Sequence, residues 1–181
     1  MTSALVLLSG GLDSAACAHA LQQQGLQVSG LFVDFGQAAA AREHEASAAV
    51  AKSLGMDLTV RSIGPSYSLG AGELPGRNAL LISLAVFELG PRGGLVGIGV
   101  HAGTRYYDCS LPFIEAMDRL VQEQTDSKAA LTAPFVTWTK AEVYRAFLDS
   151  GISVSDTYSC ESGAAPCGEC LSCQDRISLQ C

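Results

Sequence analysis

Residues 3–17 read SALVLLSGGLDSAAC. An apolar run from Ala4 to Leu8 breaks at Ser9-Gly10-Gly11 and restarts at Leu12 with helical character. A strand, a small flexible loop and a helix in immediate succession form an anion site. The glycines let the backbone turn its N–H groups inward, Ser9 and Ser14 add hydroxyl donors, and the helix dipole favours negative charge at its start. The lysine that closes the common G-x-x-x-x-G-K-[ST] phosphate loop is missing here. Asp13 would repel a bare phosphate, but a Mg2+ ion held by one carboxylate and by phosphate oxygens reconciles the two. The competing reading is an ordinary glycine turn capped by Ser9 or Asp13.

Outward from this stretch, short apolar runs alternate with longer helical segments. Strands are predicted over Ala4–Leu8, Val28–Asp34, Asp57–Ser62, Leu95–Val100 and Leu131–Phe135, and most are apolar enough to be covered on both faces. Helices are predicted near Leu12–Gln24, Ala40–Leu54, Arg77–Leu89, Pro112–Gln124 and Lys140–Ser150. The alternation implies right-handed crossovers and an α/β fold: a parallel five-stranded sheet with helices on both faces. Ligands of such sheets bind at the carboxyl ends of the strands.

The chain has 181 residues, 48% of them hydrophobic and 16% charged, enough for one well-buried domain and short for two. A net charge of −7 disfavours nucleic acid as a partner. No run of eighteen apolar residues and no cleavable leader pattern is visible, so no membrane partner and a cytoplasmic location are expected. Seven cysteines, five of them between Cys160 and Cys181, fit a metal site in a reducing compartment better than a disulfide framework. Cys160, Cys167, Cys170 and Cys173 have the spacing C-x6-C-x2-C-x2-C, sufficient for a closed tetrahedral cage. A structural Zn2+ is expected there; an iron–sulfur cluster is the alternative, because C-x2-C-x2-C also opens ferredoxin-type runs.

Several other residues are candidates. Lys140 opens a helix whose dipole it opposes, which suggests an anionic partner. Thr139 and Glu142 have the spacing of a capping box, so Lys140 could equally be solvated. Arg77-Asn78 open another helix after Pro75-Gly76, and are weighed equally as ligand contacts and as structural hydrogen-bonders. Tyr106-Tyr107-Asp108-Cys109 set aromatics beside a carboxylate, which suits a flat purine-like base. His101 reads as a loop histidine and Cys17 as a buried helix residue.

Six pieces in order, SGGLDS, LFVDFGQ, LPGRNALLISLA, IGVHAG…YDC, APFVTWTKAE and CESGAAPCGECLSCQDR, carry a resemblance along nearly the whole chain. The chain resembles the 7-cyano-7-deazaguanine synthase family, QueC, of the PP-loop ATP pyrophosphatase superfamily. That resemblance implies an adenine nucleotide alpha hydrolase-like fold over 1–155 with a zinc-binding tail over 156–181. It implies an ATP-dependent ligase that adenylates 7-carboxy-7-deazaguanine, releases pyrophosphate and forms the amide and then the nitrile with ammonia.

By the same resemblance Ser9, Gly10, Gly11, Asp13 and Ser14 would hold pyrophosphate and Mg2+. Asp34 to Gln37 would lie near the nucleoside, Lys140 would reach a phosphate, and Arg77, Asn78, Tyr107 and Asp108 would meet the deazaguanine. Zn2+ is the ion implied for the four cysteines, and a homodimer is compatible with the family. The segment before LPGRN and the stretch HAGTRYYDC are short for the family. Short relatives found in antiviral operons attach a deazaguanine to a protein amine, and this chain could share that acceptor. A zinc-stabilised module that binds ATP or AMP without turnover is a further alternative. A tRNA-modifying enzyme shares the first loop, and the acidic charge counts against it.

Overall fold

The computed structural model describes residues 3–64, 72–163 and 165–181. Five strands, β1 (Ser3–Leu7), β2 (Gln27–Asp34), β3 (Leu58–Ser62), β4 (Gly94–Gly97) and β5 (Ala129–Thr132), form one sheet in the order β3-β2-β1-β4-β5. Every adjacent pair is parallel. Six α-helices are described: α1 (Leu12–Gln23), α2 (Ala40–Ser53), α3 (Arg77–Leu89), α4 (Leu111–Gln124), α5 (Lys140–Leu148) and α6 (Leu171–Leu179).

Side chains alternate across β1, which makes two cores from one strand. Ala4 and Val6 point to a layer built by α1, α2 and α5, where Leu21, Val50, Val143 and Phe147 are buried. Leu5 and Leu7 point to the opposite layer, where Ile82 and Ala85 of α3 and Phe113, Met117 and Val121 of α4 meet β2 and β4. The expected parallel sheet with helices on both faces is therefore present.

β1 ends one residue earlier than predicted, and β4 and β5 each end three residues earlier. β4 ends at Gly97 instead of Val100 because the chain there turns into the first turn of α1. A Cβ at Gly99 would lie 2.5 Å from the Asp13 carbonyl oxygen, so only glycine allows this approach. β5 ends at Thr132 instead of Phe135, where Pro134 removes a ladder donor and Val136 N donates back to Ala133 O. Helix α6 lies beyond the predicted elements, in the cysteine-rich tail. Among the described residues, no helix is long and apolar enough to cross a membrane.

The tail after residue 156 returns to the first loop. Tyr158 N donates to Gly10 O at 2.9 Å, and Tyr158, Cys160 and Cys173 pack on Ala39 and Ala46 at the start of α2. Arg176 of α6 reaches Thr157 Oγ1 at 2.6 Å and Ser159 Oγ at 3.1 Å, which ties the helix to the strand-like approach before it.

Candidate functional site

The order β3-β2-β1-β4-β5 reverses direction between β1 and β4, so the loops after these two strands diverge and leave a crevice. A cavity of about 310 Å3 opens there. Its walls are apolar where the strands end, with Leu31, Val33 and Ile98, and polar where the loops and α6 close over it.

The loop after β1 is shaped by contact. Gly10 adopts φ +79°, and a Cβ there would lie 2.6 Å from Ser47 N and 2.7 Å from Glu43 O, so α2 packs directly on bare backbone. Gly11 precedes α1, and no side chain caps that helix. The amides of its first turn therefore lack the usual capping acceptor and open towards the cavity, which Ser9, Gly11, Asp13 and Ser14 line. Ser14 Oγ donates to Gly11 O at 3.1 Å and lies 3.2 Å from Ser9 Oγ, which holds the two hydroxyls together. Gly11 N donates to Ser9 Oγ at 3.4 Å, so Ser9 caps the glycine turn while the start of α1 itself has no side-chain cap.

Asp13 is the centre of a charged cluster. Lys140 Nζ lies 2.7 Å from both of its oxygens. The capping box expected at Thr139 and Glu142 is also present, so Lys140 both follows a capped helix start and reaches across to the loop. His101 Nε2 lies 3.7 Å from Asp13 Oδ2, and Gly103 N donates to His101 Nδ1 at 3.0 Å. That bond places the imidazole proton on Nε2, facing the carboxylate. Burial lowers the His101 pKa below its ordinary value although Asp13 pulls it up, so the ring is neutral at neutral pH. Asp175 of α6 approaches Lys140 Nζ from the other side at 3.8 Å. Neither His101 nor Asp175 lies in a motif that marks a phosphate site, although both fall within pieces that carry the family resemblance, IGVHAG and CESGAAPCGECLSCQDR.

The far end of the cavity is built around Gln37. Phe35 N donates to Gln37 Oε1 at 2.9 Å, and Gln37 Nε2 donates to Val33 O at 3.2 Å and to Glu43 Oε2 at 2.8 Å. Asp34 Oδ1 accepts from Gly36 N at 3.0 Å and shapes the turn without lining the cavity. Glu43, Arg77, Asn78, Tyr106 and Glu161 face the cavity. Burial raises the Glu43 pKa above its ordinary value, against the Gln37 hydrogen bond and the Arg77 charge, which lower it. A carboxyl raised in the folded state stabilises the fold below its ordinary pKa and loses that contribution as pH rises through the folded value. Glu43→Gln is therefore expected to melt higher than the wild type at pH 7.5. The gap should close as pH falls towards 4.5, the carboxyl's ordinary value. Thermal unfolding across that pH range tests this, and an unchanged difference at both ends contradicts it.

Asp108 lies behind the cavity wall, and Cys109 beside it lines the cavity. Asp108 Oδ2 accepts from Asn78 N at 3.4 Å at the start of α3, and Asn78 Nδ2 donates to Asp108 O at 2.9 Å. The aspartate thus supplies a helix start that has no side-chain cap of its own. Burial, with Asp108 beside it, pushes the Cys109 thiol up to about 12, so it stays protonated. Tyr107 is 65% exposed with its ring edge on Phe113, while Tyr106 lines the cavity.

Cys160, Cys167, Cys170 and Cys173 bring their sulfurs within 4.8 Å of one another, and could hold a metal ion. Four thiolates about 2.3 Å from one ion sit about 3.8 Å apart, so this spacing suits a single tetrahedral ion. Cys167 Sγ and Cys173 Sγ are 3.9 Å apart. Backbone amides of Ser162 and Cys167 point at Cys160 Sγ, and those of Glu169 and Cys170 at Cys167 Sγ, at 3.3 to 3.4 Å. Such donors stabilise sulfur as thiolate and orient it for a metal.

The model of the family described as queuosine biosynthesis protein QueC matches residues 3–72 and 65–178. The chain belongs to the QueC family. A 7-cyano-7-deazaguanine synthase from Synechococcus sp. (strain CC9605) is 34% identical over 96% of this chain and 90% of its own length. One from Halobacterium salinarum is 33% identical over 96% of this chain and 89% of its own. Among solved structures, an NMN synthetase from Francisella tularensis superposes with a TM-score of 0.61 at 16% identity, over 89% of this chain and 67% of that one. That likeness concerns the fold alone and says nothing of the substrate.

Family membership gives the two ends of the cavity a common context. The loop after β1, with its uncapped helix start, and the Gln37 end face one cavity. The alignment to the Synechococcus relative runs over 205 positions, more than the 181 residues of this chain, so that relative carries segments absent here. The two family matches overlap at residues 65–72. Residues 65–71 lie outside the described residues.

Proposed function

We propose that this protein activates the carboxylate of 7-carboxy-7-deazaguanine with ATP and joins the activated carbon to a nitrogen nucleophile. The observation that carries this reading is the uncapped start of α1 at the sheet's reversal point, with Asp13 and Lys140 in the same cleft as Gln37, Glu43 and Arg77. The carboxylate oxygen of the substrate attacks the α-phosphorus of ATP, the bond to the β-phosphate breaks, and pyrophosphate leaves. A nitrogen lone pair then attacks the acyl carbon, AMP departs with the C–O electrons, and the surplus proton passes to solvent. A second ATP activates the amide oxygen, and loss of AMP and protons leaves the nitrile.

No covalent enzyme nucleophile is required, which agrees with a protonated Cys109 and a neutral His101. The protein's part is to position reactants and neutralise charge. First-turn amides of α1, with Ser9 and Ser14, would accept the pyrophosphate oxygens. Asp13 would hold the Mg2+ ion that neutralises them, and Lys140 would meet the charge that develops as pyrophosphate separates. Arg77 is suited to an anionic carboxylate, and Glu43 and Glu161 to the N–H donors of a guanine-like ring. The four cysteines would hold Zn2+, which supplies structural cross-linking of the tail.

The Synechococcus protein carries segments absent here, and a protein amine as a larger acceptor is the second reading. Incubation with ATP, Mg2+, ammonium and 7-carboxy-7-deazaguanine, followed by mass spectrometry, decides between them. The nitrile is expected. A reaction that stops at the amide, or that modifies an added amine-bearing partner, supports the second reading. Absence of any pyrophosphate release from folded, metal-loaded protein contradicts both.

A further inference from the structure

We propose that Asp175 is a positioning residue for Lys140: it is the second carboxylate to which the ammonium transfers when Asp13 turns to a divalent cation. The inference rests on the reading that the loop after β1 binds a cation-bridged nucleotide; it does not require the deazaguanine substrate.

Both Asp13 oxygens are occupied by Lys140 Nζ at 2.7 Å. An ammonium held between both oxygens leaves lone pairs free but repels an incoming divalent charge and so weakens the carboxylate as a ligand for it. Cation binding therefore favours withdrawal of Lys140 from Asp13, and a lysine with its side chain only 19% exposed needs an acceptor close by. Asp175 Oδ2 is 3.8 Å from Nζ, and among the described residues it is the only other carboxylate within salt-bridge range. Its side chain is 40% exposed and accepts no hydrogen bond among the described residues, so it is free to receive the ammonium.

The position of Asp175 is well determined although its carboxylate is uncommitted. Two residues before it, Cys173 is buried among the four clustered sulfurs; one residue after it, Arg176 is bonded to Thr157 and Ser159. Leu171 and Ser172 of the same helix line the cavity as well. The C-terminal helix thereby provides half of the lysine's seat.

In Asp175→Asn, Lys140 loses its nearest second carboxylate and competes more strongly with the cation for Asp13. The Mg2+ midpoint for binding a fluorescent, non-hydrolysable ATP analogue to the full-length metal-loaded protein is the direct readout. Asp175→Asn is expected to raise that midpoint about fivefold. In a Lys140→Met background the same change should shift it less than about twofold, since no ammonium remains to compete. Asp175→Glu should restore the wild-type midpoint.

A simple loss of negative charge near the cation would raise the midpoint equally in both backgrounds, and that result overturns the proposal. No shift in the Lys140-containing protein overturns it too, as does a wild type that binds no Mg2+–nucleotide. A wild type that binds the nucleotide and shows the coupling, yet releases no pyrophosphate with the deazaguanine acid, contradicts only the substrate reading.

Discussion

Asp13→Ala will lower acid-dependent pyrophosphate release by at least about 100-fold, with the fold retained, because it removes the group on which the cation and Lys140 both depend. The carboxylate sits at the start of α1, contacts Lys140 Nζ through both oxygens and faces the Nε2–H of His101. Its side chain is 27% exposed, and Lys140 can turn to Asp175 or to water, so the loss of the ion pair costs little stability compared with the loss of turnover. The measurement is initial pyrophosphate release with ATP, Mg2+ and 7-carboxy-7-deazaguanine, alongside thermal unfolding of the same samples. A variant that keeps more than about a tenth of the wild-type rate would show that cation binding lies elsewhere.

Full nucleotide affinity is expected to require a metal in the cysteine cluster, while the sheet folds without one. Apparent binding energies of structural Zn2+ reach about 10 kcal/mol or more in small domains, comparable to the stability of a whole domain. The tail has little else to hold it: its buried cluster is small and separate from the two cores that flank the sheet. The tail nevertheless supplies Tyr158 N to Gly10 O, and Ser159, Glu161, Ser172 and Asp175 to the cavity wall. In Cys173→Ser the tail should therefore be cut by protease after about residue 157, leaving a resistant fragment that contains the sheet. Nucleotide affinity should fall by at least about tenfold because one wall of the cleft has gone. Metal content by mass spectrometry, limited proteolysis and nucleotide titration of the full chain test each step. Full nucleotide affinity in a metal-free protein would contradict the arrangement.

Elements with strong local signals were legible in the chain. The third helix spans Arg77–Leu89 as predicted, since Gly76 and Gly90 both take positive φ and stop the helix at each end. Strand ends were less legible, because they depend on what the chain meets. Gly99 leaves the sheet on account of the Asp13 carbonyl, a contact between segments far apart in sequence. Tyr107 and Asp108 illustrate the same limit within one tetrapeptide. Their residue types suit a base pocket, but a tight 3-10 turn over Tyr107–Cys109 directs Tyr107 outward, and Asp108 meets the start of α3.

What the sequence by itself determined was the local chemistry: a glycine loop at a helix start, a capped helix that opens with lysine, and four cysteines at metal-binding spacing. Each follows from interactions within a few residues, where backbone geometry and residue type suffice. Only the tertiary structure decided which groups meet. Lys140 lies 127 positions from Asp13 and is bound to it; His101 and Asp175 join from the loop after β4 and from the cysteine-rich tail. These pairings depend on strand order and on the packing of α6 against the loops, which are set by burial of the whole core and carry no mark in any single segment.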